Sequence, residues 1–368
     1  MHTITIASGK GGVGKTVVAA SVGAMLSRAY ETTDPPYRRA RVLLLDLDLY
    51  IKGLTYLMYP RLEVLRQLPV CVLDFLVFAG HESSPNPTSE LERLLSAWDK
   101  SLVTLPASIQ LEETDGPTPP ESWASGAVVE GLSLMLDVAR QSGADFTIID
   151  TRAGPDVLSL SATLLSDVTW LVLEQDRISW RSSLNFLLQR RSFEDTVRPE
   201  FRPHPARRRG AEFLFLPNKS PRRVTAELSK VLSSYDFLPA IPLDTYFFKR
   251  YVSDPFEAVT MESLTTCRFG SGVQAALVRW MELSGLRYEY KDWYAGGGIR
   301  PSKLIQRFYA RPERLLPLLG FAAIALKWSL MVPLGISDLL GMDLVATMMS
   351  DLLLLLILVL LGARSSRD

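Results

Sequence analysis

Apolar positions along the chain fall into short runs separated by longer, mixed ones. Residues 3–7, 41–45, 102–105, 146–149, 169–173 and 212–217 are brief apolar runs, each of strand length and too short for a buried helix. Helix-forming stretches lie between them, beginning with residues 17–29. Strands alternating with helices predict βα crossovers, and hence an α/β fold over residues 1–285: a mainly parallel, doubly wound sheet with helices on both faces. Ligands of such sheets sit at the carboxyl ends of the strands. The Pro-, Ser- and Asp-rich pieces at 80–89 and 112–120 read as surface loops.

The pattern changes near the C-terminus. Residues 286–314 form an aromatic and basic linker, in which Tyr288, Tyr290, Trp293, Tyr294, Phe308 and Tyr309 mix with Lys and Arg around three consecutive glycines. That mixture suits a membrane interface or a docking segment. Two apolar runs follow: the 22 residues 315–336, with Lys327 as their one charge, and the 20 residues 344–363, with Asp351 as theirs. At about 1.5 Å per residue, each can cross a hydrocarbon layer of roughly 30 Å. The short link 337–343 makes 315–363 a predicted transmembrane helical hairpin, and a basic tail, 364–368, ends the chain.

Charge placement orients that hairpin. Arg307, Arg311 and Arg314 precede it and Arg364 and Arg367 follow it, while the link carries Asp338 and Asp343 without Lys or Arg. Both ends therefore belong on the cytoplasmic face of the inner or plasma membrane, with two spans. Lys327 lies twelve residues before Leu339 and Asp351 twelve after it, so a turn there brings opposite charges to one depth. A pair within the hairpin, or across two protomers, would offset the cost of burying either charge in lipid. The alternative is a hairpin that packs on protein, since Lys327 and Pro333 suit a membrane poorly.

Overall composition narrows the partners. Forty basic and forty acidic residues cancel, so only local patches could attract nucleic acid or anionic lipid. The densest patch is 198–209, where three prolines exclude a continuous helix. It reads as a solvated loop, with DNA or anionic lipid as alternative partners. The two cysteines, Cys71 and Cys267, form no C-x-x-C pair, which argues against a disulfide framework or a zinc site. The N-terminus runs straight into the first strand, without a secretory leader.

The candidate chemistry begins at that first strand. Residues 9–16 read Gly-Lys-Gly-Gly-Val-Gly-Lys-Thr and fit the phosphate-loop pattern G-x-x-x-x-G-K-[ST]. Between a strand and a helix, the backbone of Gly11, Gly12, Val13, Gly14 and the first helical turn through Val17 can close around a polyphosphate. Lys15 is expected to reach the β and γ phosphates, and Thr16 to hold Mg²⁺. Other strand ends supply polar groups in order: Asp46 and Asp48, then Asp150 with Gly154, then Asn218, then the 238–244 segment with Pro242.

With Lys10 included, the loop resembles the deviant phosphate loop of the MinD/ParA family of ATPases, of the SIMIBI class. The resemblance covers about residues 1–280 and implies ATP and Mg²⁺ as ligands. It also implies an ATP-dependent homodimer in which Lys10 reaches the partner's phosphates. By the same resemblance Asp48 orients the attacking water, Asp46 supports the metal side of the site, and Asp150 binds a water on Mg²⁺. Gly154 would pivot toward the γ phosphate, Asn218 would read the adenine edge with its donor and acceptor, and the backbone at Pro242 would border the base. One departure is clear: many relatives have Pro-Gln-Gly-Asn after the second Asp, and this chain has Leu49-Tyr50-Ile51-Lys52.

Together these features predict a membrane-anchored ATPase whose nucleotide cycle switches assembly and the recruitment of an effector protein. Three alternatives stand beside it. One is a soluble ATPase of the DNA-partition type. Another is a non-hydrolysing scaffold with the hairpin docked on protein. The third is a tyrosine kinase of the same fold, acting on Tyr288, Tyr290 or Tyr294.

Overall fold

The computed structural model describes residues 1–31, 38–59, 61–80, 86–96, 102–109, 125–197, 212–220, 236–245, 267–286 and 288–289. The chain divides into two units, Met1–Gly296 and Gly297–Asp368. The predicted hairpin at 315–363, with Lys327 and Asp351, belongs to the second unit and lies outside the described residues. Residues 198–209, 112–120 and 290–309 lie outside the described residues too. Among the described residues no helix is long and apolar enough to cross a membrane.

All six predicted strands form, with ends shifted by at most one residue: β1 (His2–Ala7), β3 (Val42–Asp46), β4 (Leu102–Leu105), β5 (Phe146–Asp150), β6 (Val168–Leu173) and β7 (Glu212–Pro217). A two-residue strand, β8 (Asp236–Phe237), extends the sheet beyond expectation. The order is β4-β3-β5-β1-β6-β7-β8, and every adjoining pair is parallel. A mainly parallel sheet was expected, and these seven strands are all parallel. Such sheets need both faces covered.

Strand alternation provides the two covered faces. Ile4, Ile6, Val42, Leu44, Phe146, Ile148, Trp170, Leu214 and Leu216 point into one core, shared with α1 (Lys15–Leu26) and α9 (Arg268–Ser284). Leu43, Leu45 and Ile149 point the other way, onto α4 (Val72–Gly80), α5 (Thr88–Ser96), α6 (Ser125–Gln141) and α7 (Val157–Leu165). Leu171, Leu173 and Phe215 complete that face against Phe186 of α8 (Arg177–Val197). The remaining helices among the described residues are α2 (Gly53–Met58) and α3 (Leu62–Leu65). The predicted loop at 80–89 overlaps a helix at each end, since α4 runs to Gly80 and α5 starts at Thr88, and its residues 81–85 lie outside the described residues.

A ring cluster holds α9 to the sheet: Trp280 meets Phe146 and Trp170 edge-on, both at 6.1 Å between centroids. Past α9 the chain forms β9 (Tyr288–Glu289), which pairs antiparallel with β2 (Tyr30–Glu31) in a separate two-stranded sheet. Within the main sheet, β1 lies between β5 and β6, beside the point where the strand order reverses. The loop after β1 therefore opens into the crevice where such folds bind ligands.

Candidate functional site

The loop from β1 to α1 has the shape of an anion cradle. Gly14 is the N-cap of α1 at φ 89°, and no side chain caps the helix. Its N–H groups and dipole are thus available to an anion. A Cβ at Gly14 would lie 2.7 Å from Nδ2 of Asn218, and one at Gly12 would meet nothing within 4 Å, so the loop is buttressed behind Gly14 and open at Gly12. Gly9 is required for closeness: a Cβ there would lie 2.2 Å from the backbone carbonyl of Ser182 in α8. Val13 is buried and Val17 packs against the core.

Lys15 is buried at the edge of an acidic group. Burial lowers its pKa, against the opposing charges of Asp150, Asp48 and Asp156. The β3–β5 register pairs Asp46 with Asp150 at the strand ends, and both are fully buried. Asp46 is well bonded: Oδ1 accepts the N–H of Asp48 at 3.0 Å, and Oδ2 accepts both the N–H and the hydroxyl of Thr55 at 2.7 Å. Burial still pushes it up to about 6, against the bonds from Thr55.

Asp150 is different. Among the described residues, neither of its carboxylate oxygens has a hydrogen-bond partner. Burial, then the neighbouring charge of Asp46, pushes it up to about 8, with the charge of Lys15 and the nearby Thr16 hydroxyl, which is outside bonding geometry, acting in the other direction. A buried carboxylate without hydrogen bonds, beside a phosphate-loop pattern, suits a cation. Thr16 opens α1 at the same place, and a Cβ at Gly53 would lie 3.4 Å from its Oγ1. Among the described residues no cluster of three or more His, Cys, Asp or Glu is arranged to hold a metal. One carboxylate and one hydroxyl suit Mg²⁺, which takes few protein ligands and completes its shell with water and phosphate.

Asp48 lies half-buried in the turn after β3, its Oδ1 accepting the N–H of Ile51 at 3.0 Å. That turn ends at Lys52, φ 53°, the N-cap of α2. The turn after β5 is tied to the phosphate loop, because the Gly154 N–H donates to the Ser8 carbonyl at 2.9 Å. Between the two turns, the Arg152 guanidinium stands 4.5 Å over the Tyr50 ring.

Lys10 does not point into open space. It donates to Glu174 Oε2 at 3.2 Å and to Asp176 Oδ2 at 3.1 Å, and these bonds raise its pKa, that from Asp176 first. Lys219, at φ 51°, bonds Glu174 Oε1 at 2.8 Å and the Gly12 carbonyl. Burial opposes ionisation of Glu174, but the bonds from Lys219 and Lys10 outweigh it and lower its pKa. Asn218 is fully buried beneath the loop: Nδ2 donates to the Val13 carbonyl at 2.7 Å and Oδ1 accepts the Lys219 N–H at 2.8 Å. Pro242 bridges to Ser220, next to the end of β7.

The fold thus brings Lys10, residues 11–17, Asp46, Asp48, Asp150, Asn218 and Pro242 to the same end of the sheet. Sequence reasoning missed Glu174, Asp176, Lys219 and the Arg152–Tyr50 pair. Of these only the Glu-Gln-Asp run closing β6 carried a signal, a further strand end with two carboxylates.

No protein-family model matches the chain, and no curated protein does. Its fold is shared with a candidate plasmid partition protein from Borrelia burgdorferi B31 bound to AMPPNP, at a TM-score of 0.50 and 19% identity over 77% of this chain and 99% of that one. It is shared equally with a ParA family ATPase from Chlorobium tepidum TLS, at a TM-score of 0.50 and 16% identity over 76% and 98%. At such identities the likeness is one of fold alone: the chain shares the α/β architecture of these two structures.

Proposed function

We propose that this chain is a membrane-anchored ATPase of the MinD/ParA type, which dimerises around ATP and Mg²⁺ and uses hydrolysis to switch the recruitment of an effector protein. The observation that carries the reading is the orphaned carboxylate of Asp150 beside buried Lys15, at the mouth of an uncapped helix N-terminus.

In this reading the backbone of residues 11–17 binds the α and β phosphates and Lys15 binds the β and γ phosphates. Thr16 and Asp150 hold Mg²⁺, and Asp46 fixes the turn that carries Asp48. When bound, the cation would neutralise phosphate charge during transfer. Asp48 exchanges its bond to Ile51 for the attacking water and orients it. Asn218 supports the loop and, with the amide hydrogen and lone pair it has left, borders the adenine alongside the Pro242 backbone. Lys10 leaves Glu174 and Asp176 to reach the phosphates of a second protomer.

The two apolar runs at 315–336 and 344–363 support anchoring at the cytoplasmic face of a membrane. A permanent anchor makes the ATP cycle a switch of assembly in the membrane plane. Calorimetric titration of the full chain in mild detergent tests the nucleotide reading. Mg-ATP should bind, Lys15→Ala should abolish binding, and Asp48→Ala should keep binding while losing turnover. Absence of binding to the unmodified chain would sink it.

A further inference from the structure

We propose that Arg152 is a γ-phosphate contact, held on the Tyr50 ring until ATP arrives, and that it makes the site discriminate ATP from ADP. This rests on the reading of the site as an ATP site and adds a residue to it.

Position comes first. Arg152 is two residues past Asp150, on a turn fastened at two points to β1 and the residue that follows it, just before the phosphate loop: Thr151 N–H to Ile6 O at 3.3 Å and Gly154 N–H to Ser8 O at 2.9 Å. The next residue, Ala153, faces the loop, its Cβ 3.9 Å from where a Cβ at Gly11 would be. The backbone of Arg152 is fixed as well, its carbonyl accepting the hydroxyls of Ser159 and Thr151, both at 3.2 Å. A fixed backbone beside the cradle leaves the side chain as the part that moves.

Charge comes second. Asp46, Asp48, Asp150 and Asp156 crowd the site, and Lys15 is the basic side chain buried among them. Lys10 and Lys219 are engaged by Glu174. Arg152 instead stacks on a ring at 4.5 Å, near Asp156, whose pKa burial raises against the bonds from Ser159 and the charge of Arg152. A cation–π contact at a partly exposed position is weak beside a forked, charge-assisted bond to phosphate. Arrival of a γ phosphate therefore favours the exchange, and ADP offers no such group. Tyr50 lies in the segment after Asp48 where the chain departs from the family pattern, so the ring that holds Arg152 belongs to the turn after β3.

The test is equilibrium binding of AMPPNP and ADP, each with Mg²⁺, to the full chain in detergent. Arg152→Gln should weaken AMPPNP by about tenfold or more and change ADP by less than about twofold. Arg152→Lys, which keeps the charge without the fork, should fall between. Tyr50→Leu should bind AMPPNP at least as tightly as the unmodified chain, since it removes the ring on which Arg152 is held. Equal losses for both nucleotides, or no change in either, would overturn the proposal while leaving the ATP reading intact. Failure of the unmodified chain to bind either nucleotide would overturn both. Thermal unfolding of each variant checks the fold, and should Arg152→Gln be unfolded, the Arg152→Lys ratio of AMPPNP to ADP affinity decides.

Discussion

The ammonium of Lys10 is bonded within its own chain to Glu174, at 3.2 Å. Asp176 takes a second bond from it, and Lys219 grips the other oxygen of Glu174. A lysine so placed must exchange two carboxylates for a partner's phosphates before it can act across a dimer. In the proposed dimer the carboxylates would therefore compete with assembly.

Neutralising them should favour the dimer. Glu174→Gln combined with Asp176→Asn keeps the bonds that Asp176 accepts from Ile178 and Ser179 but removes both charges. All three side chains are partly exposed, so the gain is small, a few-fold tighter ATP-dependent dimerisation by sedimentation. Weaker dimerisation would assign the carboxylates to the dimer itself.

Asp150 predicts an unusual pH response. A carboxyl held above its ordinary pKa keeps its proton in the fold after the unfolded chain has lost it, so stability falls as pH rises from about 4 toward about 8. Thermal melts without nucleotide or Mg²⁺ should show that decline. Asp150→Asn should flatten it and raise the melting temperature near pH 8 by about 2–5 °C. The same variant should lose the stabilisation that Mg²⁺ adds to bound nucleotide.

Asn218 should matter to the loop before it matters to the base. Asn218→Ala removes the bond to the Val13 carbonyl and leaves space behind Gly14. Losing a buried amide bond costs about 1–3 kcal/mol. Faster hydrogen exchange at residues 11–14, together with weaker binding of ATP and ADP alike, is the expected result. Unchanged exchange would contradict the buttress role.

Much of this architecture was legible in the sequence because local signals agreed. Strand β3 is five consecutive buried residues, Val42 to Asp46, and β5 another five, Phe146 to Asp150, so burial on both faces gave apolar runs with a carboxylate at the end. The phosphate loop was legible because glycines are forced there, by φ 89° at Gly14 and by the backbone of Ser182 against Gly9. What stayed hidden was tertiary. Lys10 meets residues 164 and 166 positions away, and Asn218 meets Val13 across 205, at distances no local pattern encodes. The strands β8 and β2–β9 were too short to leave a periodicity.

The apolar runs yield a prediction that depends on charge alone. Asp351→Lys should impair membrane insertion, measured by resistance to alkaline carbonate extraction, and adding Lys327→Asp should restore it. Extraction of the unmodified chain by carbonate would mean that these runs pack on protein.

The proposed assembly of two copies of this chain through ATP and Lys10 is tested by the mass of the full chain in detergent, by sedimentation, with Mg-ATP in the Asp48→Ala background expected to block turnover. A dimer with ATP, a monomer with ADP, and a monomer with ATP when Lys10→Ala is added are the predicted results. One mass under all three conditions would contradict such an assembly.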